Sequence, residues 1–300
     1  LSIIPFEGEI NNQLFKKQLL FANDEEIQGA IEINSTDTKV IIEPIASNIP
    51  RLFCAFPLVG TETFLFPIVL NSRKFLPKTE RDGLYLKGET TQTERNKPLL
   101  KRALSLYQSA LKYLTSKQAE NLYLLAQHEN PFKDDYFDIE WYKIDIQKTI
   151  QNTVLNSPIV KTTNGTFSTV KAIRFPYHTR DKKLDLAITQ QIWEYQSALY
   201  PNLIPQKSDI QNWANLLWED CTKINLERFV NYLQRFTIVD NLNTELTKVN
   251  LEINVFQWLN DVIGFYIKNG YYLLNKYRIC PNQEKIGQGR FCLKDELFVD

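Results

Sequence analysis

The periodicity of the apolar residues changes near residue 90, and this change limits the folds open to the chain. Before it, short apolar runs alternate with polar turns, as in Ile27–Ile33 and Lys39–Glu43 around the turn 34–37. Such runs predict β-strands, here a hairpin. After Pro98, apolar residues recur every three or four positions, which is typical of amphipathic helices. The sequence therefore predicts an α+β fold with a sheet segment followed by a helical one.

The first segment is predicted to be a mixed α/β sheet over residues 1–92. Leu52–Phe56 and Phe64–Leu70 are nearly continuous apolar runs, which suit central strands covered on both faces. Pro67 interrupts the second run, and because proline has no N–H to donate, we expect it at an edge or a bulge. The polar stretch Thr90–Lys97 then separates this segment from the next.

The second segment, residues 93–300, is predicted to be mainly helical with short β-hairpins. Asn164-Gly165 lies between two strand-like runs and is a strong hairpin signal. A strand–loop–strand element is expected near the end of the sequence, from Tyr277 to Leu293. The apolar spacing predicts helices beginning at Pro98 and over Ser116–Gln127, Phe137–Thr153, Leu184–Tyr200, Ser208–Leu217, Leu226–Phe236, Thr244–Leu251 and Asn254–Leu274.

The charge balance argues against two classes of partner. The chain has 35 basic and 35 acidic side chains, so it exerts no long-range attraction on nucleic acid or on an anionic membrane. No apolar run approaches the roughly 20 residues that span a bilayer. We therefore expect a cytoplasmic chain with no membrane partner, and nucleic acid is disfavoured as a ligand. The many aromatic residues are interpreted as core.

The cysteines and histidines predict neither a metal site nor a complete active site. The four cysteines form no C-x-x-C pair, so a structural zinc site is not expected. Neither His128 nor His178 accompanies a nucleophile motif, and no P-loop or G-x-G-x-x-G is present. The four cysteines are Cys54, Cys221, Cys280 and Cys292, and they are interpreted as buried free thiols. The alternative is that Cys280 and Cys292 meet across a hairpin.

The sequence contains no methionine, although methionine is an ordinary component of globular proteins. Two explanations of this absence remain open. The chain is an internal piece of a methionine-poor protein, or modified methionines were omitted from the written sequence. The abrupt end at Asp300 favours a piece of something longer.

A basic stretch follows the second apolar run and has two interpretations. It contains Arg73, Lys74, Lys78 and Arg81 among polar and turn-forming residues. One interpretation is a solvated turn. The other is a loop that faces phosphate, because a guanidinium at the end of a rigid strand can clamp a transferring phosphoryl group.

Several segments together resemble sacsin-like proteins. The first series is Arg51–Leu58, then Phe66–Asn71, then Phe75–Pro77 and Arg81. Two later segments are similar to segments of bacterial members of that family. These are Pro158-Ile159-Val160 with Gly165, and Ile279–Gln283 followed by Gly289-Arg290-Phe291. The sequence departs from the family pattern at Ser72, where glycine is frequent, and at Glu284–Gln288, which lengthens the last loop.

The resemblance implies an activity that these residues do not contain by themselves. Sacsin-like proteins carry an N-terminal ATPase domain of the GHKL superfamily, like that of the large heat-shock chaperones. Its N-box and D-x-G-x-G motifs are absent here, so this chain is expected to bind no ATP unaided and to have no cofactor of its own. ATP and Mg²⁺ are expected for the parent protein. In the chaperones the next domain supplies an arginine to the γ-phosphate. Arg81 matches that role, Arg73 is second, and Lys78 is the cofactor-binding candidate.

Three hypotheses of function follow. The first is a region of a chaperone-like ATPase that couples an upstream ATPase domain of the same chain to an unidentified partner or client. The second is a non-enzymatic helical scaffold for protein interactions. The third is an accessory domain of a nucleic-acid-processing or phage-defence system. Whether the chain acts in an enzyme stays open at this point.

Overall fold

The computed structural model describes residues 1–10, 13–64, 66–127, 135–282 and 289–297. The chain divides into two compact units, residues 1–160 and residues 161–300. A mixed sheet precedes a mainly helical region, which confirms the predicted α+β class. No helix in the described part of the chain is both long enough and apolar enough to span a bilayer.

Unit 1 contains one sheet and the helices that follow it. Its strands are β1 (Ser2–Ile10), β2 (Gln13–Asn23), β3 (Gln28–Ser35), β4 (Val40–Ile42), β5 (Leu52–Cys54), β6 (Phe56–Pro57) and β7 (Val69–Asn71). Its α-helices are α1 (Thr91–Ser116), α2 (Ile139–Trp141) and α3 (Lys148–Asn156); a π-helical stretch (Tyr142–Gln147) joins the last two, and a 3-10 helix covers Leu122–Ala126.

The sheet has the order β1-β2-β3-β7-β5-β6, with β4 also paired to β3. All pairs are antiparallel except β5–β7, which is parallel with Leu52 opposite Leu70. The predicted β3–β4 hairpin is confirmed. The second apolar run becomes a strand only at Val69, beyond Pro67, so the proline stays outside the ladder as its missing N–H requires. No individual strand was predicted before Ile27, where the structure has the long β1–β2 hairpin.

Helix α1 packs on this sheet and belongs to unit 1. The ring of Tyr107 lies 6.3 Å from that of Phe66, edge to face. Gly29 on β3 lies at this contact: a Cβ there would lie 2.6 Å from Cδ1 of Ile68, too close for a side chain, and 3.8 Å from Cβ of Leu106 on α1, an ordinary contact distance. The predicted boundary at residues 92/93 therefore lies at the start of a helix that buries the sheet, and the compact units divide after residue 160 instead.

The helix boundaries in unit 1 differ from the predicted ones for local reasons. Helix α1 begins at Thr91 rather than Pro98, because the hydroxyl of Thr90 caps it by accepting the N–H of Thr93. It continues to Ser116, so the predicted second helix does not start there. Left-handed backbone at Gln118 (φ 51°) and Asn121 (φ 61°) then breaks the helical path before the short 3-10 helix.

An ionic contact ties α1 to the β2–β3 turn. The carboxylate of Asp24 accepts the backbone N–H groups of Glu26 and Ile27 at 2.7 and 2.9 Å, and Nε of Arg102 at 3.0 Å. Partial burial raises the pKa of Asp24, but the hydrogen bonds and the charge of Arg102 outweigh it. The pKa of this carboxyl therefore lies below its ordinary value.

Unit 2 is mainly helical. Its α-helices are α4 (Leu186–Ser197), α5 (Ile210–Ala214), α6 (Leu226–Leu233), α7 (Val239–Val249) and α8 (Val255–Asn269). Short strands are β8 (Val160–Lys161), which begins one residue before the unit, β9 (Phe167–Ser168), β10 (Arg174–Pro176), β11 (Thr179–Arg180), β12 (Lys183–Leu184), β13 (Thr222–Ile224), β14 (Cys280–Asn282) and β15 (Arg290–Cys292). 3-10 helices cover Val170–Ala172, Pro201–Leu203, Lys207–Asp209, Tyr271–Asn275 and Lys294–Glu296.

The core of unit 2 joins the four longer helices around fully buried Ile192, Phe229, Leu246 and Val262. Each predicted helix here has a counterpart, although several are shorter at one or both ends, and the region predicted as Thr244–Leu251 begins earlier, at Val239. Apolar spacing found the helices because each one buries a single face.

Two predicted hairpins of the second segment are confirmed. The pair β8–β9 encloses Asn164-Gly165, and β14 pairs antiparallel with β15. Cys280 lies directly opposite Cys292, and both are free buried thiols, as is Cys221. Burial raises the pKa of the Cys280 thiol to about 11, so it stays protonated at neutral pH. Cys54 is also free but only half buried.

We predict that Asp24→Asn lowers the free energy of unfolding of unit 1 by about 1 kcal/mol at pH 7, because the amide loses the ionic contact with Arg102. Since the pKa of Asp24 is lowered in the fold, its stabilisation is present above the unfolded value near 3.9 and is lost as pH falls through the folded value. Urea unfolding at several pH values should show the difference shrinking below about pH 4. Asp37→Asn, in an exposed turn, is the control; an Asp24→Asn deficit that is equal at pH 7 and pH 3 would contradict this explanation.

Candidate functional site

Two turns begin where the parallel strands β5 and β7 end, and they carry the candidate residues. After β5 the chain reverses at Ala55, which has a left-handed φ of 62°. After β7 it enters the turn 72–75, closed by the bond from Phe75 N–H to the carbonyl of Ser72. Both turns contact β5, because the N–H of Ser72 donates to the carbonyl of Phe53 at 3.0 Å.

Ser72 holds the second turn in place with its hydroxyl. The hydroxyl donates to the carbonyl of Glu26 at 2.6 Å and accepts the N–H of Lys74 at 3.1 Å. The ammonium of Lys74 also lies 2.5 Å from the Glu26 carboxylate. Glycine, frequent here in the proteins that the sequence resembles, could make neither hydroxyl bond. The serine therefore supplies an anchor of its own to the β2–β3 turn.

Residues 77–84 form a short closed loop, called here the 77–84 loop. Pro77 and Leu84 form an antiparallel bridge, and the N–H of Lys78 donates to the carbonyl of Gly83 at 2.9 Å. Inside the loop, the N–H of Arg81 donates to the carbonyl of Lys78 at 2.9 Å. Arg81 adopts a left-handed φ of 57°, which is unusual for a residue with a side chain. The closed ends of the loop hold it in that conformation.

Asn96 of α1 fixes both ends of this loop. Its side chain is fully buried, accepts the N–H of Leu76 at 2.9 Å, and donates to the carbonyls of Leu76 and Tyr85 at 2.8 and 3.0 Å. One amide thus satisfies three backbone groups that flank the 77–84 loop. Sequence reasoning missed Asn96. The only available signal was a polar residue amid the buried positions of an amphipathic helix.

The guanidinium of Arg81 is exposed and anchored at one point. Its Nη2 donates to the carbonyl of Cys54 at 3.3 Å. The local pairs with Glu80 or Asp82 that would make Arg81 an ordinary surface residue do not form, and among the described residues no carboxylate lies within ion-pair distance of it. Within the described part of the chain, the charge of Arg81 at the end of β5 therefore has no paired carboxylate.

Lys78 is placed differently. Its side chain is only 8% exposed, its ammonium lies 3.1 Å from the Asp82 carboxylate, and it lies 5.8 Å from the centroid of the Tyr136 ring. These contacts stabilise the 77–84 loop from within. Lys78 therefore supports the backbone around Arg81, and its ammonium is already paired.

Arg73 lies in the exposed part of the turn 72–75. The described residues give it neither a hydrogen bond nor an ion pair. The turn 72–75 contacts Cys54, because the thiol of Cys54 donates to the carbonyl of Phe75 at 3.4 Å. The 77–84 loop contacts the same residue, because Arg81 donates to the carbonyl of Cys54. The structure thus brings the two candidate arginines to turns that share the end of β5.

An apolar turn lies beside the 77–84 loop. Phe56 is 72% exposed and Val59 is 68% exposed. Gly60, with a φ of 107°, packs so closely on the loop that a Cβ there would lie 3.0 Å from Cβ of Asp82. Sequence reasoning assigned Phe56 to a buried strand. Its exposure leaves a large apolar side chain next to Arg81's loop, which is a feature of contact surfaces.

Arg51, at the start of β5, is buried, and its Nε has no hydrogen-bond partner in the described part of the chain. Burial lowers its pKa. His178 is half buried, and burial lowers its pKa; His128 lies outside the described residues. No cluster of His, Cys, Asp or Glu suited to a metal ion occurs within the described ranges.

Comparison with family models, with curated proteins and with solved structures finds no match to this chain. The resemblance to sacsin-like proteins therefore rests on the sequence segments alone.

We predict that Asn96→Ala lowers the free energy of unfolding of unit 1 by about 2–4 kcal/mol, since it leaves one N–H and two carbonyls without a partner. Hydrogen exchange at the Leu76 amide should accelerate at the same time. Arg95→Ala, at the neighbouring exposed position of α1, is the control and should change stability by less than about 0.5 kcal/mol. Equal effects of the two variants would show that the 77–84 loop does not depend on Asn96.

Proposed function

We propose that this chain is the region of a sacsin-like, chaperone-type ATPase that follows the GHKL domain. In this proposal an upstream ATPase domain of the same chain binds ATP and Mg²⁺, and Arg81 contacts the γ-phosphate. Arg73 is the second candidate for that contact, and Lys78 supports the loop. The protein would act in the cytoplasm and pass the nucleotide state to an unidentified partner or client.

The observation that carries the proposal is the setting of Arg81. A left-handed non-glycine residue costs roughly 1–2 kcal/mol or more, and such strain persists only where the surroundings impose it. Here the surroundings are a loop tied at both ends and a hydrogen bond to Cys54. The result is a positioned guanidinium with no carboxylate partner among the residues that the structure describes.

An arginine in this state suits phosphate chemistry. Guanidinium stays charged at any working pH and offers a planar fork of N–H donors to two oxygens. Because its neighbours Glu80 and Asp82 do not neutralise it, the charge is available to an incoming anion. Charge that develops on a transferring phosphoryl group is stabilised by such a donor, most of all if water is excluded.

The exposed turn beside the loop supports the choice of partner. Phe56 and Val59 would be covered by the ATPase domain when Arg81 reaches its nucleotide, because they lie on the turn that packs against the 77–84 loop. Closing over them removes apolar area from water and excludes water from the phosphate. The proposed contact would thereby be both anchored and dry.

The test is Arg81→Ala in the full-length parent protein. We predict that turnover of ATP falls by roughly 10³-fold, while the affinity for ATP and the thermal unfolding temperature stay nearly unchanged. Steady-state hydrolysis, nucleotide titration and thermal melting measure these three quantities. A loss of turnover below about tenfold, equivalent to about 1.4 kcal/mol, would make Arg81 a structural loop residue.

Two further arginines complete the design. Arg95→Ala removes an exposed guanidinium from the same unit without touching the turns, and turnover should not change. Arg73→Ala separates the two candidates. If ATP turnover collapses with Arg73→Ala and stays normal with Arg81→Ala, the residue that contacts the γ-phosphate is Arg73 in the turn 72–75.

A second function is favoured by a different observation. Helix α8 exposes Phe256 (61%) and Ile267 (53%), which are eleven residues apart and so lie on one face. Such a face suits a scaffold that binds other proteins. The parent reading frame discriminates the two: N-box and D-x-G-x-G motifs upstream favour the ATPase, and their absence favours the scaffold.

A further inference from the structure

A cavity of about 620 Å³ lies in unit 2. Three arginines and two tyrosines line it together with one aliphatic side chain: Arg174, Arg228, Arg235, Tyr200, Tyr232 and Ile224. The cavity is called here the arginine cavity. Its volume lies in the range of pockets that hold small organic ligands.

Regular elements position the arginines. Arg174 opens β10, which pairs in parallel with β13 so that it lies opposite Thr222. Arg228 lies in the first turn of α6, where its N–H donates to the capping side chain of Asn225 at 2.9 Å and its Nη1 donates to the carbonyl of Lys223 at 2.8 Å. Arg235 follows the end of the same helix. Sites built on such elements are held more precisely than sites on free loops.

Aromatic rings orient two of the guanidinium groups. Arg174 lies 4.7 Å from the ring centroid of Tyr200 and 5.0 Å from that of Tyr232. Arg235 lies 4.5 Å from the ring centroid of Tyr232. The tyrosine rings themselves meet edge to face at 5.0 Å. A guanidinium stacked over an aromatic ring makes a cation–π contact through the face of the guanidinium. The N–H groups of the guanidinium lie in its plane, where they can still donate to oxygen atoms.

The cavity has positive charge without a counter-charge. Its lining contains no Asp or Glu, and none of the three arginines has an ion pair among the residues that the structure describes. The acidic residue next to Arg228, Glu227, is engaged elsewhere: its carboxylate accepts from Lys276 at 2.5 Å and from Tyr277 at 2.9 Å. Like charges that share a cavity repel each other, so the arrangement gains from a bound anion.

We infer that the arginine cavity binds a small organic phosphate monoester, with the phosphate on the guanidinium groups and the organic part against Ile224 and the tyrosine rings. A carboxylate engages one guanidinium fork, whereas a phosphate dianion offers three oxygens and two charges to three arginines. Burial raises the pKa of Tyr200, so its hydroxyl stays protonated. The site goes beyond the proposed ATPase function and does not depend on it.

The experiment is calorimetric titration of the whole chain with phenyl phosphate, inorganic phosphate, benzoate and phenol in about 0.15 M NaCl, where exposed charges are screened. We expect phenyl phosphate to bind with a dissociation constant below about 1 mM and at least severalfold more tightly than inorganic phosphate or benzoate. Phenol should not bind. Failure of phenyl phosphate to bind at several millimolar, or equal affinity for benzoate, would overturn the inference.

Substitutions locate the site. Arg174→Gln and Arg235→Gln should each raise the dissociation constant of phenyl phosphate by about tenfold or more, because each removes a charged hydrogen-bond donor. Arg235 is exposed, so its replacement leaves the fold intact and keeps the test valid if Arg174→Gln unfolds the unit. Arg278→Gln, which removes an arginine paired to Glu296 at 2.7 Å, is the matched control. An equal loss with Arg278→Gln, or no loss with either cavity variant, would show that the arginine cavity is not the site.

Discussion

Three hydrogen bonds from the side chain of Asn96 hold together the part of unit 1 on which the proposed function depends. They satisfy backbone groups on both sides of the 77–84 loop from a helix that is itself packed on the sheet. Because the amide is fully buried, each bond exists without competition from water, and the loss of any one would leave a buried polar group unsatisfied. The left-handed backbone at Arg81 persists because its loop is closed in this way.

Local patterns predicted the local structure well. The β3–β4 hairpin and the Asn164-Gly165 turn each lie within a few residues of sequence, and both are confirmed. The division into units was harder, because it depends on the burial of the sheet by α1, a contact between residues as distant as Gly29 and Leu106. Alternating apolar spacing cannot show which helix covers which sheet.

The candidate sites were predictable to different degrees. The basic stretch around Arg81 was visible because its residues are close in sequence, although its role rests on the resemblance and is still a proposal. The arginine cavity was invisible, since Arg174, Arg228 and Arg235 come together only through β10, β13 and α6. The net charge of zero indicated neither site, because composition averages over a surface on which a few arginines lack an ion-pair partner among the described residues.

The most direct test of the central claim is chemical rescue of Arg81→Ala in the parent protein. If Arg81 acts by presenting a guanidinium to the γ-phosphate, free guanidinium ion at low millimolar concentration should enter the vacated position and restore part of the lost ATP turnover, with saturation. The same ion should not accelerate the wild type or Arg95→Ala. An Arg81→Ala enzyme that is slow but gains no turnover from guanidinium, or an equal gain in Arg81→Ala and Arg95→Ala, would contradict the account.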